Sequence, residues 1–129
     1  MYKRQVHAFG LVSVQIDVEG ELPSDARVAA AFLQIIREAS TNATKHAQAH
    51  RVHVRLWQET SEDGAVARMT VSNDGAPAPV SYREGTGIPG MRHVAQNLGG
   101  SLEVHAAPPF TLTVSIPLAS NATVQRRSS

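Results

Sequence analysis

The chain has 129 residues, 42% of them hydrophobic and 18% charged, the composition of one globular domain with a single core. A formal net charge of +1 with only 5% aromatic residues offers neither the basic footprint of a nucleic-acid or anionic-membrane binder nor a base-stacking platform. The absence of cysteine excludes disulfides, thiol catalysis and thiolate metal sites, and no apolar run approaches the ~18 residues of a membrane span or the form of a secretory leader, so a cytoplasmic setting is expected.

Residues 1–9 show no clear period and read as a linker or the end of an upstream helix. From Val12 the alternation is clean, with Val12, Val14, Ile16 and Val18 apolar and Ser13, Gln15 and Asp17 between them, which predicts a half-buried strand. Gly20 to Pro23 breaks it, Ser24 or Asp25 is placed to cap, and an alanine-rich run free of Gly and Pro predicts a long helix to about Ala47. Val52, Val54 and Leu56, then Ala65, Ala67, Met69 and Val71, alternate with polar or partly polar neighbours. With Glu62-Asp63-Gly64 between them they predict a hairpin.

Residues 73–90 are crowded with Gly and Pro, a loop long enough to suggest function rather than mere connection. A short helix is predicted from about Gly90 to Leu98, stopped by Gly99-Gly100. Leu102 to Ala106 and Phe110 to Ile116 read as a last pair of strands around Pro108-Pro109, with Pro117 ending the sheet and a polar, disordered tail over 119–129. The order β-α-β-β-loop-α-β-β, with mostly antiparallel strands and helices on one face, predicts a two-layer α+β sandwich.

Three constellations carry chemistry. The first lies on the long helix. At about 100° per residue, Glu38, Asn42 and Lys45 fall within roughly 60° of one another, with His46 beside them. Phe32, Ile35, Ala39 and Ala43 flank the strip and can pack on a sheet. A carboxylate, a neutral oxygen donor and a cation in one strip suit a nucleophile or metal-bound water, Mg²⁺ and a phosphate, respectively. Taken alone, the strip is also what a solvated helix face with a Glu-to-Lys pair presents. The second constellation is Ser72-Asn73-Asp74-Gly75 at a strand end, where a polar side chain can read a purine edge and Gly75 permits close approach, or where an ordinary turn sits. The third is Gly85-Thr86-Gly87-Ile88-Pro89-Gly90-Met91. Its glycine spacing mimics the dinucleotide fingerprint, but it closes a loop rather than following a strand, leaving the anion-binding N–H groups of a helix start as its physical content. His46, His50 and His53 lack a carboxylate partner and the zinc-protease pattern, since Ala47 follows His46.

In this order and spacing the motifs resemble the ATP-binding domain of the GHKL superfamily, most closely the catalytic domains of two-component sensor histidine kinases of the nitrate-sensor/DesK type. The resemblance rests on Arg37-Glu38-Ala39-Ser40-Thr41-Asn42-Ala43-Thr44-Lys45-His46, on the Asn73-Asp74-Gly75 turn, and on Gly85 to Met91 running into a helix closed by Leu98-Gly99-Gly100. It spans residues 10–118 and implies the Bergerat fold with ATP held between helices and loop. It implies Asn42 as Mg²⁺ ligand, Glu38 as the assisting acid, and Lys45 and His46 near the phosphates. It implies that Asn73 takes the adenine-reading position, that Gly75 allows close approach, that Gly85, Gly87 and Gly90 shape the ATP lid, and that Asp74, Thr86, Ile88 and Met91 also bind the nucleotide.

The implied activity is transfer of the γ-phosphoryl of Mg-ATP to a histidine on a separate dimerisation domain, for relay to a response regulator, in a homodimeric full-length protein with no nucleic-acid partner and no direct membrane contact from this domain. An anti-sigma-factor serine kinase of the same fold and a degenerate, non-catalytic interaction module are the alternatives. The chain departs from the family's D-x-G-x-G pattern at Asn73 and Pro77. An amide still accepts from the adenine amino group and donates to a ring nitrogen, but losing a charge-assisted bond costs on the order of 1 kcal/mol unless Asp74 substitutes. The Gly-Thr often seen before the family's last strand falls at Pro109-Phe110. No phosphoacceptor motif of the family's R-E-L-H type occurs in the chain.

Overall fold

The computed structural model describes residues 2–9, 12–20, 25–46, 50–62, 64–74, 87–105 and 110–118. Among them are six strands, β1 (Tyr2–Phe9), β2 (Val12–Glu19), β3 (Arg51–Ser61), β4 (Gly64–Asn73), β5 (Ser101–His105) and β6 (Thr111–Leu118), and two helices, α1 (Ala26–His46) and α2 (Ile88–Asn97). The strands form one mixed sheet in the order β1-β2-β3-β4-β6-β5. Only β2 and β3 run parallel, because α1 connects them as a crossover. The other neighbours are antiparallel.

The alternation seen in the sequence sorts the two faces of the sheet. Val14, Val52, Val54, Leu56, Ala67, Met69, Val71, Leu112, Val114 and Ile116 are buried on one face. Against them lie Val28, Phe32, Ile35, Ala39 and Ala43 of α1 and Ile88, Met91 and Ala95 of α2, recurring at helical spacing. The result is the predicted two-layer α+β arrangement with helices on one face. No helix among the described residues is long and apolar enough to cross a membrane.

Both helices begin and end for local reasons. Asp25 caps α1: its Oδ1 accepts from Arg27 N at 2.9 Å and its carbonyl from Ala29 N at 3.1 Å. The Arg27 guanidinium and backbone N–H together hold the Asp25 carboxyl below its ordinary range. At the end of α2, Gly100 N donates to Ala95 O and Gly99 N to Gln96 O, both at 2.9 Å, with Gly99 at φ 78°. This is a Schellman stop, and only a residue without a Cβ takes that φ without strain.

Two expectations are corrected. Residues 2–9 are not the end of a helix or a linker: they form β1, paired with β2 from Tyr2↔Glu19 to Phe9↔Val12. Lys3, Arg4 and Gln5 in succession hide the alternation, as is usual in edge strands, which carry cations that discourage further pairing. Only two residues separate the strands, and Gly10 between Phe9 and Val12 is the sequence signal that could have identified the hairpin. Pro117 does not end the sheet either; it lies within β6 opposite Val66. Pairing with β5 has already stopped at Ser101↔Ser115, so a residue without an N–H is tolerated there. The predicted tail lies outside the described residues.

Asp17 stands on the face of β2 away from the helices, yet it is buried. Its carboxylate accepts from Arg4 Nε at 3.0 Å, Gln15 Nε2 at 3.0 Å and His53 Nε2 at 2.6 Å, tying β1, β2 and β3 together. Asp17→Ala should destabilise the chain by about 2 kcal/mol, the usual range for hydrogen bonds to a charged group. Arg4 and His53 are half-exposed and recover some hydration, which limits the loss. In urea titrations followed by amide exchange, β1 should lose protection before β3; equal protection of both strands would sink this account of how β1 is held.

Candidate functional site

The centre of the site is the polar strip on α1. Helix packing turns Ala39 and Ala43 to the sheet, and Asn42, between these flanking positions, is only 4% exposed. A solvated helix face does not bury an amide, so the surface reading of the strip does not describe Asn42. Glu38, one turn earlier, is exposed. α1 remains helical through Lys45 and His46, whose side chains lie outside the described residues. Ser40, also buried, donates to Ile36 O at 2.7 Å and is satisfied within its own helix.

Facing the strip is the start of α2. Gly87 sits at φ 90° as the N-cap, with Met91 N donating to its carbonyl at 2.9 Å. A Cβ built on Gly87 would stand 2.7 Å from Glu38 Oε2 and 3.6 Å from Asn42 Nδ2. The glycine is therefore required twice, by its backbone angle and by the approach of the two polar side chains. Gln34, Glu38, Gly87, Gly90, Met91 and Val94 line an open cleft of about 110 Å³ between the helices. Ile88 and Met91 are buried and anchor α2 to the core, while Gly90 is exposed.

Between Ala39 of α1 and the sheet lies a second recess. Asn73 ends β4, fixed by its pairing with Val52 and by donation from its N to Phe110 O at 3.3 Å. Only 7% of Asn73 is exposed. With Ala39, Val52, Val71, Phe110 and Leu112 it lines a narrow recess too tight to hold a water molecule. Phe110 and Ala39 were not singled out in the sequence as site residues. Phe110 stands just before β6 and reads as an ordinary core position, and the small size of Ala39 leaves the space.

Asp74 is turned elsewhere. Its Oδ1 accepts from His50 N at 2.9 Å and Arg51 N at 3.0 Å, and its own N donates to Arg51 O at 3.2 Å. The backbone donors of Arg51 and His50 hold its carboxyl below the ordinary 3.8. A lowered folded-state pKa means that the stabilisation is present above the unfolded value and is lost as pH falls through the folded one. Asp74 is exposed and solvent screens it, so Asp74→Ala should cost only about 1 kcal/mol near neutrality. The gap between wild type and variant in urea melts should stay level down to about pH 5 and narrow below pH 4; a gap that widens in acid would contradict this role.

The structure thus brings together Glu38, Asn42, Gly87, Gly90 and Met91, and places Asn73 in a recess that Ala39 of α1 also lines. Gly75, Gly85 and Thr86 lie outside the described residues. No cluster of three metal-ligating side chains occurs among the described residues. Asn42 and Glu38 are nonetheless hard oxygen donors, the type Mg²⁺ takes when phosphate and water complete its shell.

Comparison with known proteins agrees with this geometry. Residues 28–120 match the family described as histidine kinase-, DNA gyrase B- and HSP90-like ATPase. The sensor histidine kinase MctS of Rhizobium johnstonii is 30% identical over 124 residues, covering 91% of this chain and 26% of that protein. The sensor histidine kinase DesK of Bacillus subtilis is 34% identical over 87 residues, covering 64% of this chain and 22% of that protein. The chain spans about a quarter of the length of these relatives. Among solved structures, the ATP-binding domain of PrrB from Mycobacterium tuberculosis superposes with a TM-score of 0.62 at 18% identity, covering 87% of this chain and 84% of that one. The histidine kinase domain of a blue-light activated kinase from Erythrobacter litoralis superposes at 0.61 with 26% identity, covering 85% of this chain and 53% of that one. With residues 28–120, most of its length, matched by that family, this chain belongs to the family of histidine kinase-, DNA gyrase B- and HSP90-like ATPases.

Proposed function

We propose that this chain is the ATP-binding catalytic domain of a sensor histidine kinase. It passes the γ-phosphoryl of Mg-ATP to a histidine on a separate dimerisation domain, from which a response regulator takes it, in the cytoplasm and within a homodimeric full-length protein. The observation that carries this reading is the burial of two amides, Asn42 beside the glycine that starts α2 and Asn73 at the end of β4.

In this reading the adenine lies at the mouth of the recess lined by Ala39, Val52, Val71, Phe110 and Leu112, with Asn73 on its edge. Asn42 supplies an amide oxygen to Mg²⁺, which when bound neutralises charge on the phosphates. Glu38 reaches the same space from one turn away and orients the incoming group. Lys45 and His46, further along α1, meet the phosphates. By the resemblance Gly75 allows close approach of the base, Gly85, Gly87 and Gly90 shape the ATP lid, and Thr86, Ile88 and Met91 are further nucleotide-binding positions. Positioning and charge neutralisation are most of what phosphoryl transfer asks of a protein.

Calorimetry of the chain with the non-hydrolysable analogue AMP-PNP tests the reading. Binding should appear with Mg²⁺ and weaken on chelation, and analogue at about 100-fold its dissociation constant should stabilise the fold by about 2.7 kcal/mol. No Mg²⁺-dependent binding at millimolar analogue would overturn it. The isolated chain, which carries no R-E-L-H-type motif, should bind nucleotide without phosphorylating itself.

A further inference from the structure

The pairing of β3 with β4 ends at Val52↔Asn73, yet the next residue on each side is still tied across. Asp74 N donates to Arg51 O at 3.2 Å. Arg51 N donates at 3.0 Å to Asp74 Oδ1, in place of the Asp74 carbonyl that a continuing antiparallel ladder would use. The same Oδ1 accepts from His50 N at 2.9 Å. With its side chain standing in for its own carbonyl, Asp74 lets the backbone turn out of the sheet without giving up the bond across it. The residue just before this turn is Asn73, only 7% exposed. Val52 holds it on one side, and its own N, donating to Phe110 O at 3.3 Å, holds it on the other. Where the ladder closes therefore decides where Asn73 sits.

Resting on the nucleotide-binding reading above, we propose that Asp74 is a positioning residue for the base end of the nucleotide, acting through Asn73 rather than by touching the ligand. Removing its carboxylate frees the N–H groups of His50 and Arg51. Both residues are exposed, as is Asp74, so water takes over as acceptor and the fold loses little. The last pair of the ladder, however, becomes a fraying strand end. Fraying spreads Asn73 over several placements, only one of which meets the base. Apparent affinity falls by the fraction of time spent in that placement, so a tenfold loss corresponds to about one-tenth occupancy. The cost thus falls on binding more than on stability. Asp74→Asn keeps an Oδ1 that accepts both N–H groups and closes the ladder as before, whereas Asp74→Ala keeps none.

The test is calorimetry of the whole chain with AMP-PNP and Mg²⁺, using wild type, Asp74→Asn, Asp74→Ala, Asn73→Ala and the double alanine variant. Asp74→Ala should bind about tenfold more weakly than wild type, and Asp74→Asn should stay within about threefold of it. Added to Asn73→Ala, the Asp74→Ala change should cost less than about twofold, because residues that act as one unit do not add. A role confined to stability would lower Tm in Asp74→Ala and leave the affinity of the folded protein unchanged. That result overturns the inference, and so does a second full loss in the Asn73→Ala background; in both cases the nucleotide reading stands. If folded wild type does not bind the probe, the nucleotide reading fails and takes this inference with it. Should Asn73→Ala bind too weakly to titrate, the two Asp74 variants decide alone, and equal losses in both would overturn the inference.

Discussion

Replacing Asn42 with alanine should lower the affinity for Mg-AMP-PNP about 100-fold, equivalent to about 2.7 kcal/mol, and erase the difference between Mg²⁺ and chelator. The size follows from where the side chain is. Asn42 is buried beside Gly87, where solvent does not readily replace a missing oxygen donor. Mg²⁺ holds to strict octahedral geometry, so a missing ligand is not made good by a neighbour moving slightly. Alanine is a better helix former than asparagine by about 0.7 kcal/mol, which offsets part of the packing that the amide supplies, so thermal stability should change little. Asn42→Asp keeps a hard oxygen at the same place and should retain Mg²⁺ dependence that Asn42→Ala lacks. Titrations of the three proteins with and without Mg²⁺ decide the matter. Unchanged affinity with intact Mg²⁺ dependence in the alanine variant would remove Asn42 from the metal's shell.

The largest effect on stability is expected at Gly100. A Cβ built there would overlap Ser115 O and come within 3.0 Å of Ile116 Cα and Cγ1, all on β6. Two of these are backbone atoms of β6, where Ser115 pairs with both neighbouring strands and Ile116 with β4, so they cannot give as a side-chain end can. Gly100 itself is held by donation to Ala95 O at 2.9 Å, so relief requires the end of α2 to move off the sheet. Gly100→Ala should therefore cost about 3 kcal/mol, the upper end of ordinary overpacking, and lower Tm by roughly 10 °C for a chain of this size. Gly90→Ala is the natural control. It lies within α2 with nothing within 4 Å of a built Cβ, and alanine there should raise stability by up to about 1 kcal/mol. Thermal and urea melts of both variants check the pair; equal destabilisation would show that the close approach to β6 does not govern.

Much of the fold was legible because its period is local. Alternation in Val12–Val18 and in the Val52–Leu56 and Ala65–Val71 pair records one sheet face, and Val14, Val52, Val54, Leu56, Ala67, Met69 and Val71 of it lie in the core with Ile16 and Val18 packed against it. The α1 pattern is likewise explicit, and Gly99-Gly100 announced the stop of α2 that the Schellman bonds confirm. β1 was illegible because an edge strand with consecutive polar residues exists by pairing with β2, a contact that residues 2–9 do not encode by themselves. The inclusion of Pro117 in β6 was hidden for a related reason, since it depends on where β5 stops.

For the site, the sequence by itself determined which chemistry is present and in what order: Glu38, Asn42 and Lys45 on one helical strip, Asn73 at a strand end, and glycines ahead of a second helix. Spacing along a helix is rigid at about 1.5 Å per residue, so this much survives any packing. Tertiary structure decided what spacing cannot express. It buried Asn42 while leaving Glu38 exposed, brought Gly87 from the far side of a long loop against both, and closed Phe110 and Ala39 around Asn73. It also directed Asp74 to the start of β3 instead of the recess, because two backbone N–H groups more than twenty residues away arrive there only when β3 and β4 pair. Burial and approach between segments distant in sequence are properties of the assembled core, and they separate a nucleotide site from a charged helix face with the same residues.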